Sequence, residues 1–302
     1  MKQPKRDYRP PSDFPADPPQ LPHVTGSGLV AIVTPAVSSR LSADERVSFD
    51  LMNRMLPGFD RYLVIPESLT TDIVADGLRT IRLPNASMAS FGAYNRLMLT
   101  PWFYRLFSGY RYILIHQLDC LVFRPDLPDW CAQGWSYVGA PWFGRRGDLK
   151  AVGNGGLSLR SVADAVAVLE SDHFRAFPAT RPQLRQFASM KHLRKLLGTL
   201  GEARRDRRSR PLVQRFLDRF DRPEDEFWAY YARFFHPAFR QPAPRAALDF
   251  AFEASPHVAY ELLGRRLPFG CHAWARMGRD FWLERLAEER LVPDTGIEPV
   301  TF

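Results

Sequence analysis

Four short stretches hold side chains whose types and spacing suit chemistry. "HQLD" (His116 to Asp119) closes the hydrophobic run "YILIHQLDCLVF". An unpaired carboxylate in such a run would cost several kcal/mol, so Asp119 is expected to have something to bind. "VGNGGLSLRS" (Val152 to Ser161) is glycine-rich, which permits close backbone approach to a ligand or a turn at positive φ. "PEDEFW" (Pro223 to Trp228) sets three acids before two aromatics, and "LPFGCHAW" (Leu267 to Trp274) places His272 inside an apolar turn. Each has a bland reading: a lone histidine is usually structural, and an acidic pair usually caps a helix. Taken together they suggest more. Asp119 and His272 offer oxygen and imidazole ligands suited to Mn2+ or Mg2+. Such an ion would neutralise a diphosphate leaving group while a separate carboxylate deprotonates an attacking hydroxyl.

These stretches must be positioned by regular elements. "GLVAIVTPA" (Gly28 to Ala36) is an apolar, β-branched run with the pattern of a central strand. "SADERVSFDLMNRML" (Ser42 to Leu56) has a Ser cap with Glu45 three residues on, so a helix begins there. "RYLVIPES" and "TIRLP" predict two further strands, and "GAYNRLMLTPWFYRLF" a helix interrupted or capped at Pro101. A strand at Ser136 to Val138, a helix from Val162 and a helix over "EFWAYYARFF" follow. Strands alternating with helices predict an α/β fold: a mostly parallel, Rossmann-like central sheet with helices on both faces. Ligands in such sheets bind beyond the carboxyl ends of the strands, and Asp119 lies towards the end of its strand.

Composition sets the outer bounds. The 302 residues carry a net charge of +8 and 45% hydrophobic residues, ordinary for a globular chain with anionic partners. Residues 1–25 read as a flexible Pro- and charge-rich arm, 26–290 as one domain with a basic excursion at about 174–215, and 291–302 as a tail. Aromatics are not interleaved through the excursion, so a solvated loop is favoured over nucleic-acid binding. The three cysteines form no disulfide framework. There is no apolar signal segment and no run of transmembrane length, so a cytoplasmic location is expected, with peripheral membrane contact from the inside left open. A dinucleotide oxidoreductase is disfavoured because no G-x-G-x-x-G follows the first strand. A sugar nucleotidyltransferase is disfavoured because "VTPAVSSRLS" is poor in glycine.

The motifs "YNRLML", "QLD", "GAPWF", "VGNGGLSLR", "EDEFW" and "PFGCHAW", over roughly residues 28 to 276, together resemble a glycosyltransferase-like family of unknown function, DUF5672. The segment from Tyr94 to Phe123 also resembles the one leading to the DxD motif in GT-A-fold glycosyltransferases. The resemblance implies a GT-A-like domain that moves a hexosyl group from a UDP- or GDP-sugar to a hydroxyl of a glycan or lipid-linked acceptor, as in polysaccharide biosynthesis, with inversion. It implies that Asp119 is the last acid of DxD, with Gln117 where the first would stand. An amide is a poor metal ligand, so the need for Mn2+ or Mg2+ is open. His272 resembles the histidine that completes the metal shell; without a metal it would donate directly to the diphosphate. Asp225 is the implied base and Glu224 the second choice, with Glu226 turned away or capping its helix. Asn154, Gly155 and Gly156 would line the donor sugar and acceptor. Thr34 and Pro35 would flank the nucleotide base, and Glu67 would reach base or ribose. Tyr94, Asn95 and Arg96 open the preceding helix, where Arg96 is either a phosphate partner or part of a surface salt bridge. Trp142, with Phe143, is either an acceptor platform or core. The alternative is a non-catalytic nucleotide-sugar or glycan-binding module that keeps the fold, which the missing first acid favours.

Overall fold

The computed structural model describes residues 8–15, 24–175, 198–203, 205 and 210–291. The first strand, β1 (Gly28–Pro35), leads into α1 (Ala43–Met55) through a complete capping box. The Ser42 N–H donates to Glu45 Oε2 at 2.8 Å and the Glu45 N–H to Ser42 Oγ at 3.3 Å, so two otherwise orphaned donors are satisfied. Next come β2 (Asp60–Pro66), β3 (Leu78–Leu83) and α2 (Phe91–Leu97). Helix α3 (Pro101–Leu106) begins on its proline, where the missing N–H costs nothing. Strand β4 (Tyr110–His116) and the short β5 (Leu121–Val122) follow.

The chain continues through α4 (Leu127–Ala132), β6 (Tyr137–Gly139), the hairpin β7 (Pro141–Phe143) and β8 (Leu149–Val152), then β9 (Leu157–Ser161) and α5 (Val162–Leu169). After the basic excursion come α6 (Leu212–Leu217), α7 (Glu224–Tyr230), α8 (Ala232–Phe235) and α9 (Pro244–Ala247). Then β10 (Ala251–Phe252), α10 (Pro256–Leu262), β11 (Gly270–Cys271) and α11 (Trp274–Glu288) complete the described elements.

The main sheet runs β3-β2-β1-β4-β9-β6. Its first four strands are parallel, and β9 is antiparallel to both β4 and β6. Val30 to Val33 of β1 and Tyr112 to His116 of β4 are continuously buried, which requires cover on both faces of the sheet. This is the mixed α/β arrangement that the alternation of strands and helices predicts. A smaller sheet, β10-β11-β5, sits just beyond the end of β4.

Three expectations change. Asp119 is not inside the strand: β4 stops at His116, and Leu118 and Asp119 form a turn between the two sheets. The turn is pinned by Gln117 N donating to Gly156 O and Cys120 N to Gln117 O, and it leaves the Asp119 side chain 45% exposed. The desolvation that remains is offset by His272, whose Nε2 lies 3.3 Å away. Within the expected loose arm, residues 8–15 are packed: Phe14 lies against the core and Trp102 Nε1 donates to Pro15 O at 3.3 Å. The "EFWAYYARFF" helix breaks at Tyr231 into α7 and α8. Most of the basic excursion and all of the tail beyond residue 291 lie outside the described residues.

Candidate functional site

One cleft of about 460 Å3 collects the chemistry-bearing stretches, a volume suited to a small ligand. Gln117 and Asp119 come from the turn after β4, Gly155 and Gly156 from the loop before β9, Glu224 to Glu226 from the start of α7, and His272 from the end of β11. Because β9 pairs antiparallel with β4, the glycine loop and the Asp119 turn meet at the same sheet end. Asn95 and Trp142 also line the cleft.

At one corner, His272 Nε2 lies 3.3 Å from Asp119 Oδ1 while its Nδ1 lies 3.1 Å from Glu253 Oε1. Burial alone would lower the imidazole pKa, but hydrogen bonds and charges from both carboxylates outweigh it and push it up to about 9. Burial would raise the Asp119 carboxyl; His272 and Arg276 overcome that and hold it below its usual range. Asp119, Cys120 and His272 offer ligand-type atoms within 4.8 Å of one another. The Cys120 thiol donates to Gly156 O at 3.3 Å, and burial pushes its pKa well above normal, so it is poorly suited to act as a thiolate. The donors left for an ion are therefore the Asp119 carboxylate and the His272 imidazole. A carboxylate behind a histidine is also the outer-shell arrangement that orients a metal-binding imidazole, and an ion bound here would displace the proton that the two carboxylates hold on His272. His116, just upstream, is fully buried, and burial lowers its pKa to about 4, so it stays neutral.

The adjacent acids of "PEDEFW" have different fates. Glu224 is buried, with Oε1 2.8 Å from Arg160 Nη2 and Oε2 3.0 Å from Arg160 Nη1. Its N–H donates to Asn95 Oδ1 at 2.6 Å. Both of its oxygens are occupied, which corrects its candidacy as a base: it anchors α7 to β9. Asp225 Oδ2 accepts the Asn154 N–H at 3.1 Å, while its Oδ1 is buried with no hydrogen-bond partner. Burial, joined by the charges of Glu224 and Glu253, pushes the Asp225 carboxyl up to about 7, against the pull of the Asn154 N–H. Glu226 pairs with Arg222 one turn back at 2.5 Å.

The glycine loop is short of space, not of conformational freedom. The positive φ belongs to Asn154 (70°), whose Oδ1 accepts the N–H groups of Gly156 at 2.9 Å and Leu157 at 3.3 Å. A Cβ on Gly155 would stand 2.0 Å from Glu224 Oε1, and one on Gly156 2.2 Å from His272 Nε2. Gly153 faces the Trp142 indole, which leans on Tyr230 with ring centroids 5.8 Å apart.

Several expected residues lie elsewhere. Arg96 is buried, with Nη2 donating to Asp218 Oδ1 at 2.9 Å and Gln214 Oε1 at 3.2 Å while Nη1 has no partner, and it does not line the cleft. Thr34, Pro35 and Glu67 are not among the cleft's lining residues, nor is Asn154, whose N–H nonetheless holds Asp225. Sequence reading missed Glu253, Arg160, Arg276, Tyr8 and Phe91. The signal for Arg160 was present, a charged residue in a strand whose neighbours are all buried, but nothing local reveals its partner.

A galactosyltransferase, LgtC, solved with donor and acceptor sugar analogs, is similar at 13% identity, covering 87% of this chain and 98% of that one, with a TM-score of 0.46. The apo form of mouse xyloside xylosyltransferase 1 is similar at 10% identity, covering 83% and 99%, with a TM-score of 0.45. Likenesses of this strength leave the chemistry to be argued from the chain's own residues. No curated protein matches the sequence. The family described as a protein of unknown function, DUF5672, matches residues 77–272, well over half of the 302 residues, and the chain belongs to that family.

Proposed function

We propose that the protein is a glycosyltransferase that moves a hexosyl group from a nucleotide diphosphate-sugar to a hydroxyl of a glycan or lipid-linked acceptor, with inversion. The observation that carries this reading is Asp225: one oxygen is fixed by a backbone N–H, the other is buried and unpartnered, and it shares a cleft with Asp119 and His272. A pKa near 7 suits a general base working at neutral pH. In the step proposed, the Asp225 carboxylate takes the acceptor hydroxyl proton as the hydroxyl oxygen bonds the anomeric carbon. The bond from that carbon to the diphosphate breaks, and the nucleotide leaves with the electron pair.

Asp119 and His272 face the diphosphate, and Gln117 and Asn95 offer amide hydrogen bonds to the rest of the donor. Thr34, Pro35 and Glu67, at the carboxyl ends of β1 and β2, are retained as base and ribose contacts, which requires the nucleotide to extend beyond the cleft. Asn154, Gly155, Gly156 and Trp142 bound the sugar. Mn2+ or Mg2+, held by Asp119 and His272 with Glu253 orienting the imidazole, would supply charge neutralisation for the leaving diphosphate. Without an ion, the cationic His272 and Arg276 supply positive charge at the same place. Acceptors on a membrane surface suit the net charge of +8, and among the described residues no helix is long and apolar enough to cross a membrane.

Gln117 in place of an acid favours a second reading, a nucleotide-sugar or glycan-binding module without turnover. A melting-temperature screen against UDP- and GDP-sugars, with and without Mn2+, tests both, because a ligand that binds the native state raises the transition by mass action. A donor that stabilises the chain and slowly yields free nucleotide is expected. Stabilisation with no nucleotide release selects the nucleotide-sugar-binding module; no stabilisation by any donor rejects the transferase and that module, leaving glycan binding alone.

A further inference from the structure

We infer that Tyr8 and Phe91 form an acceptor subsite, an aromatic platform for a neutral pyranose whose hydroxyl is presented to Asp225. Both side chains line the same cleft as Asp225, Glu226 and Trp142. The Tyr8 ring meets Phe91 edge to face, with centroids 5.4 Å apart and planes at 67°. Among the described residues, Phe91 is the aromatic one of the exposed large hydrophobics, at 45%; the others are aliphatic. A singly exposed aliphatic side chain needs no explanation, but an aromatic pair set into a polar cleft is a built feature.

The supports on either side of the pair fix its place beside the base. Phe91 opens α2, where the Ser90 hydroxyl accepts the Ala93 N–H at 3.0 Å. Asn95, one turn on and on the same face, accepts the Glu224 N–H at 2.6 Å and donates to Arg222 O at 3.2 Å. The helix carrying Phe91 is thereby bonded to the start of the helix carrying Asp225. Tyr8 is held from the other side. Gly92 lies so close under the backbone of Arg9 that a Cβ there would sit 2.1 Å from Arg9 O, and Trp102 and Phe14 anchor the segment further along. Residues 8–15 thus carry an aromatic side chain to the cleft, where a solvated arm would not.

A pyranose presents one face of C–H groups to an aromatic surface and a rim of hydroxyls to polar groups. The Tyr8 hydroxyl can donate to or accept from that rim, and Glu226 and Asp225 can accept from it. The inference rests on the transferase reading and adds to it which residues hold the acceptor.

The test uses the full chain and saturation-transfer NMR with methyl α- and β-glycosides of glucose, galactose, mannose, N-acetylglucosamine and xylose. At least one glycoside is expected to receive saturation at its ring C–H groups. Tyr8→Ala and Phe91→Ala should each weaken it about tenfold, while Tyr8→Phe retains binding through the ring. The melting shift produced by the donor sugar should be unchanged in all three, which also shows that they fold. Absence of saturation in the unaltered chain, or binding in both alanine variants as tight as in the unaltered chain, overturns the subsite. Loss of the donor's melting shift in those variants overturns it too, because the pair would then be holding the nucleotide. Failure of the transferase reading looks different: glycoside binding would depend on the pair while no nucleotide sugar shifted the melting temperature.

Discussion

Two clefts sit at opposite ends of the parallel strands, and the larger one is not where the candidate site lies. The cleft at the amino ends, about 670 Å3, is lined by the first residues of β1 to β4, including Gly28, Asp60, Arg79 and Tyr110. Most of its polar groups pair with one another, with Arg61 Nε the buried exception. Tyr110 donates to Asp60, the Tyr62 and Tyr110 hydroxyls lie 2.7 Å apart, and Arg79 reaches Tyr62 at 2.9 Å and Asp60 at 3.1 Å. At the carboxyl ends, Asp225 keeps a buried, unpartnered oxygen, Asp119 is half exposed, and a glycine loop packs directly against His272. A cleft whose carboxylate is tied up by tyrosine and arginine is architecture; one that leaves a perturbed carboxylate oxygen open is a candidate for function.

The contrast can be broken most directly at Asp225. Asp225→Asn is expected to lower sugar transfer by about 10^2 to 10^4, the range of a lost general base, while the donor's melting shift persists. Full transfer by this variant would remove Asp225 from the role. The same variant has a pH signature in stability. The folded-state pKa of about 7 lies above the unfolded value, so the native state binds the extra proton, and stability falls as pH rises from about 4 through 7. Asp225→Asn removes that decline. Its melting temperature should exceed that of the unaltered chain at pH 8, with the difference shrinking towards pH 4; no such trend in a melting series would contradict the perturbed carboxyl.

Glu224→Gln sharpens the distinction between neighbours. It leaves the Arg160 charge buried and half-compensated, so urea unfolding should show a loss approaching the ~3–5 kcal/mol typical of a broken buried pair. Arg40–Asp72, with side chains 82% and 68% exposed, provides the control, where Asp72→Asn should change stability by under about 1 kcal/mol. Smallest is Tyr110→Phe in the amino-end cleft: a loss of about 1 kcal/mol in the same assay and unchanged transfer. A large fall in transfer from Tyr110→Phe would mean that the two clefts are not functionally separate.

Much of the scaffold was legible because its signals are local. Ser42 and Glu45 announce their helix three residues apart, Pro101 divides α2 from α3, and the apolar runs of β1, β2 and β4 match their buried strands. The stretches quoted for their chemistry do converge on one cleft. Less legible were the ends of elements and the roles of polar groups. The β4 run continues as an apolar pattern past His116 because Leu121 and Val122 belong to the second sheet, so periodicity could not show that Asp119 sits in a turn.

What the sequence by itself determined is the α/β alternation, the caps, and which residue types stand near which strand end. These follow from propensity and patterning over a few residues. Only the tertiary structure decided what each polar group is free to do. Arg160 approaches Glu224 from 64 residues away and leaves Oδ1 of the neighbouring Asp225 without a partner. Glu253 steadies His272 from a separate strand end, and Asp218, 122 residues along the chain, takes Arg96 out of the cleft. A carboxylate's role depends on its desolvation and its charge partners, and those are set by packing between distant segments, which no local pattern encodes.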